Sequence, residues 1–78
     1  MNTKLKQIEN TILAYEADGL MREDSEIEID IQDDEIWLCD YSKSRGGAEF
    51  IKKLGDTTEI NVKEILKLCD DYDWYIVY

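Results

Sequence analysis

The chain has 78 residues, 44 % of them hydrophobic, a formal net charge of −10, no histidine, no proline and two cysteines. That length holds a single domain, 1–78, and the apolar share, with two tryptophans and five tyrosines, excludes a disordered acidic tail. The charge argues against direct binding to nucleic acid or to an anionic membrane, because repulsion takes the place of counterion release.

The charge is concentrated. Between Glu16 and Tyr41 stand eleven acids against one base, Arg22, whereas the rest of the chain carries eight of each sign. No apolar run approaches the ~18 residues of a membrane span, and Met1 to Tyr15 lacks a signal-peptide core, so a cytoplasmic protein is expected. Cys39 and Cys69 each fall in an apolar stretch without metal-ligand spacing, which suits reduced core residues.

In chain order, Thr3 to Asp18 reads as an amphipathic helix: Leu5, Ile8, Ile12 and Tyr15 recur at steps of three and four, and Gly19 is a natural left-handed stop. Glu26 to Ile31 alternates strictly, with Ile27, Ile29 and Ile31 on a core face and Glu26, Glu28 and Asp30 on a wet one. Glu35 to Tyr41 is a second strand. A turn at Asp33-Asp34, or a four-residue loop from Gln32 to Glu35, sets Ile31 opposite Ile36 and Ile29 opposite Leu38. On the wet face Asp30 then meets Trp37, Glu28 meets Cys39 and Glu26 meets Tyr41.

Ser42 to Gly47 is a locally basic loop. Ala48 to Leu54 reads as a short helix closed by Gly55, with a third meander strand as the alternative. Asn61-Val-Lys-Glu64 has the form of a capped helix start, and Val62, Ile65, Leu66, Cys69 and Tyr72 make its apolar stripe. Trp74 to Tyr78 ends the chain as a short strand. The sum is an α+β domain of order α-β-β-α-α-β, with a small three-stranded, mainly antiparallel sheet and helices packed on one face.

Most site chemistry is excluded by composition. Without histidine there is no Ser-His or Cys-His catalysis and no histidine zinc ligand. Ser42-Lys-Ser-Arg-Gly-Gly47 departs from the phosphate-loop pattern, and Asp30-Ile-Gln-Asp-Asp-Glu35 begins like a calcium loop but lacks its glycine and its closing glutamate. Neither enzymatic activity nor a cofactor nor a dedicated metal site is expected, beyond adventitious cations at Asp33, Asp34, Asp71 and Asp73.

The acids suggest a partner instead. Glu26, Glu28 and Asp30 would stand about 6.6–6.8 Å apart in a row, close to two base steps of one DNA strand. Trp37 and Tyr41 lie beside them, Asp33, Asp34 and Glu35 at the hairpin tip, and Glu16 and Asp18 on the first helix. Such a row with interleaved aromatics fits a basic, nucleic-acid-binding cleft on another protein. The expectation is an acidic inhibitor or decoy of a nucleic-acid-handling enzyme, of the anti-restriction or anti-CRISPR kind found on phages and mobile elements, like them in size and charge only. A general interaction module (antitoxin, immunity protein or complex subunit) is the alternative. Both long helices also carry acids at their C-terminal ends, against the macrodipole. Finally, a strand at Trp74, Tyr75, Ile76, Val77 and Tyr78 must lie at a sheet edge without a guarding lysine or proline, which points to a homodimer through that edge or to a partner's strand.

Overall fold

The computed structural model describes residues 3–78, in the order α1 (Thr3–Ala17), β1 (Ser25–Gln32), β2 (Glu35–Ser42), β3 (Gly47–Asp56), α2 (Val62–Tyr72) and β4 (Tyr75–Val77). The class is α+β. The sheet has four strands in the order β3-β2-β1-β4; β2 runs antiparallel to both β1 and β3, while β4 lies parallel to β1. It is therefore mixed and four-stranded, not three-stranded.

The extra strand is the segment expected as a helix. Ala48 to Leu54 lies within β3, paired with β2 from Glu35↔Asp56 to Ser42↔Gly47. Seven residues with two adjacent lysines carry too weak a period to choose between helix and strand. The choice falls to the outer edge of β2, whose unpaired backbone groups β3 satisfies. Bulges between Ile36 and Trp37 and between Leu38 and Cys39 fit the ten residues of β3 to the eight of β2. Gly55 is not a helix stop. It sits opposite Ile36, where a Cβ would press on the Lys4 side chain that reaches across to Glu59.

The β1–β2 register is the expected one: Ile31↔Ile36, Ile29↔Leu38, Asp30↔Trp37, Glu28↔Cys39 and Glu26↔Tyr41. Gln32 pairs with Glu35, so the turn is the two-residue form, with Asp33 and Asp34 both at positive φ (52° and 62°). That is the backbone a right-twisted hairpin needs.

Both helices bury their apolar sides on one face of the sheet. Ile8 and Ile12 from α1 and Ile65, Leu68 and Cys69 from α2 close over Ile27, Ile29, Ile36, Leu38 and Leu54, with Ile60 and Trp74 completing the core. Each such burial contributes about 1.5–3 kcal/mol against conformational entropy. In α2, Asn61 caps the start through Lys63 N–H (2.8 Å). The buried stripe is Ile65, Leu68 and Cys69, with Leu66 half-buried and Tyr72 outside it. Tyr72 instead stacks on Trp74 (centroids 4.4 Å apart) and donates to Glu9 Oε2 at 2.6 Å.

Part of the acidity has a backbone cause. Among the described residues, the positive-φ ones other than glycine are Asp24, Asp33, Asp34 and Asp73. After glycine and asparagine, aspartate tolerates that conformation best. Asp73 thus closes α2 as its left-handed cap, its N–H reaching the Asp70 and Cys69 carbonyls, although its charge opposes the helix dipole.

Candidate interaction face

The strand alternation that aims Ile27 and Ile29 at the helices aims Glu26, Glu28 and Asp30 at the opposite face. Register adds Glu35, Trp37, Cys39 and Tyr41 from β2, Phe50 from β3 opposite Cys39, and Tyr75 and Val77 from β4 opposite Glu28 and Asp30. This helix-free face is aromatic. Trp37 meets Phe50 edge-on at 5.6 Å, and Tyr41 meets Tyr75 at 5.2 Å. Phe50, Tyr75 and Val77 remain substantially exposed, while Trp37 and Tyr41 are half-buried.

The face is not wet throughout, which corrects the expectation for Glu28. Its side chain is 8 % exposed and Cys39 beneath is fully buried, because β3 and β4 bring Phe50 and Tyr75 to either side of them. Asp30 is half-buried, and its Oδ1 is enclosed without a hydrogen-bond partner. Burial, then the neighbouring Asp30 carboxyl, pushes the Glu28 pKa up to about 7. Burial, then the charges of Asp30 and Glu28, raises the Cys39 thiol to about 12. The Tyr75 hydroxyl is raised by Glu26 beside it. One carboxylate oxygen each from Glu28 and Asp30 and the Cys39 sulfur all lie within 4.8 Å of one another. No motif signals this group in the sequence; the cross-strand pairing of Glu28 with Cys39 is its only trace.

The remaining acids do not share one surface. Glu16 meets Glu26 across a depression at the start of β1, which Asp73 also lines. Asp18 lines a separate one with Leu20 and Lys52. Asp33 and Asp34 form the exposed hairpin tip, where Thr57 N–H donates to the Asp34 carbonyl at 2.8 Å. Glu35 accepts from Trp37 Nε1 at 3.1 Å and pairs with Lys53 at 3.2 Å. Those contacts hold its carboxyl below the usual range. Asp40 points to the helix side and is buried there, bound by Arg45. The Ser42–Gly47 segment spends its polar groups internally: Ser42 and Ser44 share a hydrogen bond, and Arg45 serves Asp40.

Both cysteines are free and buried. Among the described residues no helix is long and apolar enough to cross a membrane. Compared with protein-family models, with curated proteins and with solved structures, the chain finds no match in any of the three.

Proposed function

We propose that this chain is a non-enzymatic acidic binding protein that covers a basic surface of a nucleic-acid-handling protein and so inhibits or sequesters it. The observation that carries the proposal is the helix-free sheet face. Exposed Phe50, Tyr75 and Val77 and half-buried Trp37 and Tyr41 form an apolar, aromatic patch next to Glu26. Glu16, Asp18, Glu23, Asp24, Asp33 and Asp34 are exposed elsewhere on the chain. Aromatic groups of this kind supply most interface energy, and surrounding acids select a cationic partner and speed its approach.

Glu28 cannot act as the middle step of a phosphate-like row, since it is buried. Imitation of phosphates therefore rests on Glu26 and the exposed acids around it. The same observation favours the alternative of a general interaction module, in which aromatic anchoring dominates. Competition separates the two. The chain is immobilised in a lysate of the cell that makes it, and excess duplex DNA or RNA is added. Retained nucleic-acid-binding proteins released by the competitor support a decoy; proteins held regardless support the module.

The unpaired edge of β4 belongs to the same proposal. Ala48 to Leu54, the segment able to cover it, lies at the opposite edge as part of β3. The β4 edge is then where a second copy, or a partner's strand, extends the sheet.

A further inference from the structure

The three groups inside the aromatic frame have an arrangement that acids on a protein surface lack. Glu28 and Asp30 are two apart on β1 and point the same way, and Cys39 is the residue paired with Glu28 on β2. Their ligand atoms fall within a 4.8 Å circle. Glu28 is more than nine-tenths buried and aimed into that circle, where its carboxyl meets a second acid, Asp30. Asp30 Oδ1 is enclosed and unpartnered. A buried carboxylate without a donor is costly, and a bound cation is one of the few things that offset the cost.

We propose that Glu28, Asp30 and Cys39 form a binding site for one divalent cation of the zinc class. The donor set decides the class: a thiolate excludes calcium and magnesium as preferred occupants, and two carboxylates disfavour purely soft ions. Tetrahedral coordination at zinc distances needs ligand atoms roughly 3.5 Å apart, so the three side chains need close by no more than about 1 Å on binding. Three protein ligands leave a fourth position for water or for a donor from a partner. On binding, the Cys39 sulfur exchanges its proton for the metal, and that proton leaves to water together with any held between the two carboxyls. The proposal does not depend on the function proposed above.

Cobalt(II) is the probe, because a thiolate ligand gives it a charge-transfer band in the near ultraviolet. The full chain, reduced and freed of metal with a chelator, is titrated with cobalt and then with zinc. The expected result is one ion per chain, a thiolate band that zinc abolishes, and the same band in Cys69→Ser. Cys39→Ser should lose it. Because Cys39 is fully buried, Asp30→Asn supplies a parallel test at a half-exposed position, with circular dichroism checking the fold. It should weaken binding by at least about tenfold, whereas Asp33→Asn/Asp34→Asn should leave it unchanged. No thiolate band in the wild-type chain, a band that survives Cys39→Ser, or equal affinity in Asp30→Asn would each overturn the proposal.

Discussion

Asp40 Oδ1 lies 2.8 Å from Arg45 Nη2, and this contact neutralises an acid that is 1 % exposed in the helix-facing half of the sheet. The Arg22 N–H donates to the other oxygen at 3.2 Å. Arg22 and Arg45 both also pair with Glu49, so the two arginines link β2 and β3 to the segment that leads into β1. Removing one partner of a buried pair leaves the other uncompensated. Asp40→Ala should cost about 3 kcal/mol in urea unfolding, with Arg45→Ala costing less because the arginine is partly solvated.

The same carboxyl gives a pH dependence of known sign. Burial alone would raise the Asp40 pKa, but the Arg22 N–H and the Arg45 guanidinium, both in contact with the carboxyl, hold the pKa below the ordinary value. A depressed folded-state pKa means that the contribution is complete above the unfolded aspartate range. It fades as pH falls through the folded value. Unfolding midpoints of the wild-type chain should therefore drop on the acid side, below about pH 4, and Asp40→Asn should show a shallower drop from a lower plateau.

The hairpin turn is built from two aspartates in a conformation that costs a non-glycine residue about 1 kcal/mol or more. Asp33→Asn/Asp34→Gly should raise thermal stability, by about 0.5–1 kcal/mol. An unchanged or lowered melting temperature would show that the Thr57 hydroxyl, which donates to Asp34 Oδ1 at 3.4 Å, contributes more than the strain costs.

Glu28 supplies a test of burial itself. In chelator-treated protein, Glu28→Met removes a buried carboxyl set beside that of Asp30 and keeps most of the volume. It should stabilise the fold by about 1–2 kcal/mol. A destabilised variant would mean that Glu28 is solvated and that the aromatic frame does not exclude water.

Self-association through β4 is read by sedimentation at micromolar concentration. A dimer that Tyr75→Lys dissociates is expected. A monomer, with Tyr75→Lys altering neither mass nor partner binding, contradicts pairing at this edge.

The hairpin was legible because strict alternation in β1 and a two-residue polar turn leave one register that buries Ile27, Ile29, Ile36 and Leu38. The helices were legible from their periods and from Asn61. β3 was not, since Ala48 to Leu54 takes its state from the backbone edge that β2 offers. The burial of Glu28 was hidden for a related reason. Its own strand says only which face it occupies. Whether that face is wet depends on Phe50 and Tyr75, which arrive from distant segments of the chain. Asp40 is the converse: its place on the buried face follows from the alternation of β2, but its partner Arg45 lies in a loop without a pattern.

If exposed acids and an aromatic face together hold a basic partner, binding must depend on salt. The retained partner is titrated with the wild-type chain, with Glu16→Lys/Glu23→Lys/Glu26→Lys, and with Phe50→Ala/Tyr75→Ala. A lysine pair at Asp70 and Asp71 on α2 serves as the control. Wild-type affinity should fall steeply with salt. The triple charge reversal should lose at least about tenfold at low salt and less at high salt, the aromatic pair should lose at every salt, and the control should bind normally. Affinity indifferent to salt, with the charge reversal and the control behaving alike, would contradict this mode of binding.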